Sequence, residues 1–231
     1  MAALAACTGA APQEPGDDRL IVPENLLVTA LAGGNGVLNL TALSLRQGDR
    51  GLELYAALRN DGDTPACHAA LSVELFDKSE QSLAAGITGL LSQHFYQLED
   101  DSETIAACIG PGDVTMAAVS ELQDIALEDV AHVVYRCPYF ALSVQRIPGL
   151  EITQLKRAAS YSGRLQNRLP RALENPSVSV FPLARSGRPL GMLTTSAAIT
   201  LAPGESWSFE TGTIEAAPAE QAAFPAGALR P

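Results

Sequence analysis

Lysine is almost missing from this chain: only Lys78 and Lys156 occur in 231 residues, and Lys and Arg together number 15 against 26 Asp and Glu, for a net charge of −11. That deficit excludes a nucleic-acid partner, because phosphate binding draws its affinity from clustered basic side chains. Nor is any basic patch dense enough to hold an anionic membrane. Aromatic residues make up 5% of the chain, with a single Trp at 207. No apolar run reaches the roughly 20 residues that a membrane-crossing helix needs. The three histidines, His68, His94 and His132, are widely scattered. With no His-x-x-x-His or Cys-x-x-Cys spacing, no zinc site is expected. There is no Gly-x-Ser-x-Gly elbow. Gly33-Gly34-Asn35-Gly36 lacks the Lys-Ser/Thr that follows a phosphate cradle, so it reads as a turn. Cys67 and His68 are adjacent, but neighbours on a strand point to opposite faces, so the imidazole is badly placed to take the thiol proton. These absences predict no enzyme, no cofactor and no metal.

What is present is apolar residue in short alternating runs. At 47% apolar the chain can build a real core, and its length suits one large domain or two of about 100 residues each. Leu38, Leu40 and Ala42 alternate with polar neighbours, after which the phase slips by one at Leu43 and Leu45, as a bulge or a doubly buried strand end would cause. Leu52, Leu54, Ala56 and Leu58 read as a half-buried strand, and so do Leu71, Val73 and Leu75. Turn chemistry separates them at Asn60-Asp61-Gly62-Asp63. Residues 130–142 are β-rich but interrupted by Pro138, and residues 119–129 have room for one short helix or turn.

The second half repeats the first. Residues 162–167, ending in Asn167, mirror 55–60, ending in Asn60. Val178-Ser179-Val180-Phe181 mirrors Val73-Glu74-Leu75-Phe76, Ser186-Gly187-Arg188 stands for Ser79-Glu80-Gln81, and Pro203-Gly204-Glu205 stands for Pro111-Gly112-Asp113. The offset is about 105 residues at the first pairs and about 92 at the last, so the order holds while loop lengths differ. Asn suits the left-handed backbone of a tight turn. Trp207 and Phe209 alternate with Ser206, Ser208 and Glu210, so Trp207 is read as core.

This order of an Asn-led turn, a strand into Leu75-Phe76-Asp77 and a later Pro-Gly-acid turn resembles the FxLYD-type domain of bacterial envelope proteins. The first copy keeps Asn60 and Gly62 but has Glu80 where Gly is usual; the second keeps Gly187 but has Pro182 in place of Asp. The resemblance implies an all-β fold of two tandem immunoglobulin-like β-sandwiches. The expected division is a leader and tether over 1–25, β-sandwich domains over 26–146 and 150–215, and a disordered tail over 216–231. At the amino terminus Leu4-Ala5-Ala6-Cys7 resembles the lipobox of bacterial lipoproteins, which implies lipidation at Cys7. Only six residues precede it, too few for a signal leader, so either the true start lies upstream of Met1 or the box is incidental in an Ala-rich stretch; the first is expected. Thr8 after the cysteine points to the outer membrane, by analogy with lipoprotein sorting. The Pro, Gly and acid of 8–18 read as a flexible tether.

In an exported chain cysteines pair. Cys67 and Cys108 both fall in the first copy, one before a strand and one before the Pro111-Gly112 turn, so a Cys67–Cys108 disulfide is expected, with Cys137 left over as a buried thiol or in a bridge between chains. Closing that loop stabilises by roughly 4 kcal/mol in the chain-entropy picture. Glu99-Asp100-Asp101 and Glu103 lack the alternating spacing of a calcium loop and read as a solvated acidic loop. The expected function is a non-enzymatic lipoprotein anchored in the bacterial cell envelope, acting as a spacer or interaction module for another envelope protein. The alternative is a periplasmic small-ligand or metal-ion binder, using the interdomain groove or the acidic loop.

Overall fold

The computed structural model describes residues 26–31, 36–48, 51–101, 103–122, 124–213, 218 and 220–229. Among them the chain is all-β, with no α-helix and one 3-10 turn at Leu127–Asp129, inside the stretch where the sequence left room for a helix or turn. The strands up to residue 147 are β1 (Leu27–Ala30), β2 (Leu38–Gly48), β3 (Gly51–Asn60), β4 (Ala66–Cys67), β5 (Ala70–Phe76), β6 (Ser82–Gly89), β7 (His94–Leu98), β8 (Ile105–Ile109), β9 (Val114–Leu122), β10 (His132–Arg136), β11 (Phe140–Ala141) and β12 (Val144–Ile147). Those after it are β13 (Leu150–Arg157), β14 (Ser160–Asn167), β15 (Leu173–Leu183), β16 (Leu193–Ser196), β17 (Thr200–Leu201), β18 (Ser206–Thr213) and β19 (Glu220–Leu229). The sheets run β2-β3-β9, β1-β10-β5-β6 and β11-β4-β8-β7-β12, then β13-β14-β18 and β16-β15-β17 with β19 also on β15. Among the described residues no strand pairing crosses Pro148-Gly149. The two sets are called unit 1 and unit 2 below.

Alternation carried the core. Leu52, Leu54, Ala56 and Leu58 of β3 are 0% exposed, as are Leu71 and Leu75 of β5. Each such Leu withdraws enough surface from water to stabilise by about 2 kcal/mol. The slip in β2 is a register shift between Leu40 and Ala42, after which Leu43 and Leu45 join the unit 1 core. Pro138 splits the β-rich run into β10 and β11, since it has no N–H to give a ladder. One expectation changes: β3 is not half-buried. Tyr55 and Ala57, on its other face, are also buried, because unit 2 packs over them.

The repeat extends to individual hydrogen bonds. Asn60 Nδ2 donates to Thr64 O (2.9 Å) and Ile109 O (2.8 Å), and its Oδ1 accepts from Gly62 N (2.9 Å). Asn167 Nδ2 donates to Arg171 O and Leu201 O (both 2.9 Å), and its Oδ1 accepts from Leu169 N (3.0 Å). The Pro-Gly-acid turn then closes on the same residue, with Gly112 N donating to Asn60 O at 2.8 Å and Gly204 N to Asn167 O at 2.7 Å. Gly112 and Gly204 take φ of +76° and +85°, which an L side chain adopts only with strain. Neither Asn60 nor Asn167 has a positive φ, so the expected left-handed turn role is corrected: each is a fully buried amide that satisfies three backbone groups.

The equivalence also corrects the strand alignment by two residues. Phe76 pairs with Ser82, and Leu183 bridges Pro189, so Leu183 and not Phe181 is the counterpart of Phe76. Ala184, not Pro182, holds the place of Asp77: Ala184 N donates to Arg188 O at 2.9 Å, as Asp77 N does to Gln81 O at 3.0 Å. A slip of two is invisible to alternation, because a period-two pattern maps onto itself. Glu80 and Gly187 do correspond, and both are left-handed, with φ of +59° and +78°. Glu80 therefore carries strain that glycine would relieve. Replacing Glu80 with Gly is expected to raise stability by about 0.5–1 kcal/mol, visible as a higher urea midpoint, because its one ion contact, to His132 at 3.3 Å, is made from an exposed side chain and contributes little.

The expected disordered tail over 216–231 is overturned for residues 220–229. These form β19, which pairs antiparallel with β15 from Leu183↔Glu220 to Leu173↔Leu229. It is the counterpart of β10 and β11 together: Phe140 lies opposite Cys67 as Ala228 lies opposite Glu174. Its small residues and Pro225 give alternation no amplitude, and burial comes instead from β15 and from unit 1, leaving Phe224 at 1% exposure.

Candidate functional site

What the two units do not share is concentrated where they meet. Gly89 and Ser196 occupy equivalent positions 107 residues apart, while Cys108 and Thr200 are equivalent at 92, so unit 1 carries fifteen extra residues between β6 and β8. That insertion contains β7, and it reaches into unit 2. Phe95 packs in the unit 2 core, with its ring 2.6 Å from where a Cβ on Gly149 would stand, so glycine is required there. Gln93 Nε2 donates to Ala223 O at 3.1 Å. The equivalent acceptor in unit 1, Tyr135 O, takes Leu31 N just past β1, so a side chain from the insertion serves an edge that an extra strand serves in the other unit. The main contact is apolar: Phe181, Leu183 and Phe224 of unit 2 meet Tyr55, Ala57 and Met116 of unit 1, with the two Phe rings edge-on at 5.9 Å. Ser44, fully buried, donates to Pro189 O at 2.5 Å within this contact.

Beside the contact lies an open groove of about 450 Å³, lined by residues 93–95 of the insertion and 146–150 of the join. Arg146 on β12 lies opposite Tyr96 on β7, and His94, two residues along β7, shares its face. The Arg146 guanidinium stands 2.7 Å from His94 Nδ1 and 3.2 Å from Nε2, and His94 Nε2 is 3.3 Å from Asp113 Oδ2. Asp113 is fixed in turn by Gly110 N at 3.0 Å. Close by, the Tyr96 hydroxyl is pushed up by burial and then by the Asp113 charge, which keeps the phenol neutral. The lining offers one cation, one imidazole and one amide beside apolar Phe95, Ile147 and Leu150, and it holds no hydroxyl, thiol or carboxylate. It is suited to holding a small polar molecule. No spacing in the sequence joins His94 to a partner, because Arg146 and Asp113 meet it through strand pairing and a turn.

Of the sequence-predicted residues, Cys7 lies outside the described residues. Cys67 and Cys108 are joined in a disulfide, as expected. They sit directly opposite on β4 and β8 with Cα atoms 4.1 Å apart, the close type of antiparallel pair. The same pair in unit 2 is Glu174 and Thr200, so that unit forms its ladder without the bond. The double variant Cys67→Ala/Cys108→Ala is therefore expected to fold, yet to lose about 3–4 kcal/mol in urea denaturation, with reductant lowering the wild type alone. Cys137 is a buried thiol outside this bond, and burial pushes its pKa up to about 12, so it is inert as a nucleophile at neutral pH.

The acidic loop is occupied by its own turn. Asp101 accepts from Glu103 N at 3.0 Å and from the Thr104 hydroxyl, and the Thr104 bond leads in holding its carboxyl below the usual range. Glu99 accepts from Ser143 at 2.9 Å. Among the described residues no three His, Cys, Asp or Glu side chains gather as a metal site. Trp207 is half-buried against the unit 2 core, its ring 5.9 Å from Phe209.

Comparison with known proteins adds little to this geometry. No family model matches the chain, and no curated protein matches it in sequence. It is similar to the crystal structure of red sea bream transglutaminase at 11% identity and a TM-score of 0.22, over 81% of this chain and 27% of that one. The chain thus spans about a quarter of that protein's length, and a likeness of this size carries no argument about fold or activity.

Proposed function

We propose that the chain is a non-enzymatic lipoprotein of the bacterial cell envelope, held to the outer membrane by a lipid on Cys7. In this reading units 1 and 2 are two tandem immunoglobulin-like sandwiches of the FxLYD type. They serve as a stiff spacer or interaction module that presents another envelope protein at a fixed distance. The observation that carries the reading is the locking of two like units into one body by Phe181, Phe224, Tyr55, Met116 and the inserted Phe95. A short rigid body is what a spacer requires, and a relative motion of domains is the default unless such an interface is apolar. The Cys67–Cys108 bond suits an oxidising compartment outside the cytoplasm.

The contact also ends with two units. The counterparts of Phe181 and Phe224 in unit 1 are Glu74 and Arg136, and the counterparts of Tyr55, Ala57 and Met116 in unit 2 are Ser162, Arg164 and Ser208. A polar face at each end stops further head-to-tail stacking, as capping repeats do. Membrane fractionation of the source cells, with the gene expressed behind its own upstream DNA, tests the anchor. Wild type is expected in the membrane fraction and Cys7→Ala in the soluble one. A soluble wild type, or upstream DNA without a basic and apolar leader, sinks it.

A second reading, a periplasmic small-ligand binder, is favoured by the groove and its Arg146–His94–Asp113 chain. It expects saturable thermal stabilisation by a small polar metabolite that Arg146→Ala abolishes. A library screen without such a shift removes it.

A further inference from the structure

Two strands end the sheet that contains β5: short β1 on one side and eight-residue β6 on the other. A sheet edge carries a row of backbone N–H and C=O groups ready to pair with another strand, and soluble proteins guard such edges with charge, proline or shortness. β6 has none of these three guards; its one irregularity is a bulge at Leu83, after which residues 84–89 pair in regular register. It reads Ser-Leu-Ala-Ala-Gly-Ile-Thr-Gly, without a charge or a proline, and its second edge takes no strand among the described residues. The counterpart in unit 2, β16, is a strand of four residues. Ile87 on β6 is 69% exposed, the most exposed of the large apolar side chains among the described residues. The edge is also held in place from beneath: a Cβ on Gly86 would lie 2.5 Å from Val119 Cγ1, so the strand sits close on β9.

We propose that β6 is a self-association edge, on which a second copy of this chain adds its own β6 antiparallel across a two-fold axis. The occupant is a second copy because the pairing is self-complementary. In a chain of net charge −11, this is an eight-residue strand that meets an identical one without opposing like charges. An antiparallel pair of identical strands is isologous and closes after two copies, so the β1-β10-β5-β6 sheet continues into its mate and stops. Each copy then covers Ile87 of the other, at the margin of the unit 1 end face that carries Glu74.

Sedimentation equilibrium of the full chain tests this. Wild type is expected to be a reversible dimer. Ile87→Lys and Ala85→Lys, both on the solvent side of β6, are expected to weaken dimerisation about tenfold or more with unchanged thermal unfolding at low concentration. Ile199→Lys, another exposed apolar position, is expected to leave the dimer intact. A wild type that stays monomeric, a dimer that Ile87→Lys leaves untouched, or an equal loss in Ile199→Lys each overturns the proposal.

Discussion

Ending the chain at Pro218 is expected to unfold unit 2, even though the residues removed look like a dispensable Ala and Pro tail. β19 is the full-length partner of β15, so its loss leaves the N–H and C=O groups of that strand exposed along one side. It also removes Phe224, which is 1% exposed and edge-on to Phe181, and uncovers Phe181 itself at 0%. Phe224→Ala alone should cost about 3–5 kcal/mol through lost burial and the cavity it leaves. Removing the strand should cost at least about 5 kcal/mol, which is comparable with the whole stability of a small domain. Calorimetry should show the unit 2 transition gone, and limited proteolysis should then cut between residues 150 and 213. Because Phe181, Leu183 and Phe224 also dock unit 2 on unit 1, the surviving unit 1 transition should move down as Tyr55 and Met116 become exposed. An unchanged melt would restore the disordered tail.

Alternation is plainest in strands with one dry face and one wet one. β5 has Leu71, Val73 and Leu75 inside and Ser72 and Glu74 half-exposed, so period two shows through. β19 and the outer half of β15 are covered on both faces or built of Ala and Pro, and there the pattern has no amplitude. The repeat was legible because it rests on residues with a fixed backbone job: Asn at a strand end, Gly at a positive φ. Its register was not, since a shift of two preserves every face. His68 and Asn175, left-handed at φ 48° in both units, mark the same position just past β4 and its counterpart, yet share no side-chain type that a sequence comparison would notice.

The groove was least legible. It is built by the inserted β7 against β12 and the join, elements with no counterpart in unit 2, so the repeat could not point to it. The disulfide was legible for the opposite reason. Cys67 and Cys108 both lie within the first copy, between Asn60 and the Pro111-Gly112 turn, two points that the Asn60 amide already ties together through Ile109 O.

That amide carries the last prediction. Asn60→Ala and Asn167→Ala should each lower stability by about 3 kcal/mol, the cost of a buried carbonyl left bare plus two further bonds lost at buried or partly buried groups. The two effects should be nearly equal, because both residues are 0% exposed and make the same three bonds. Asn60→Asp is the sharper test, since it keeps the shape and the acceptor for Gly62 N but sets a carboxylate oxygen where Nδ2 met Thr64 O and Ile109 O. Facing two carbonyls, the carboxyl is held protonated in the folded chain, so its folded pKa lies above the value of about 3.9 in the unfolded one. The folded state then binds more protons, and stability falls as pH rises. The deficit of Asn60→Asp should accordingly be smallest below about pH 4 and deepen as pH rises above it, while that of Asn60→Ala stays level over the same range. Urea denaturation at pH 4 and pH 7 separates the two. Equal pH profiles for the Asp and Ala variants would mean that the amide hydrogen does not meet those carbonyls.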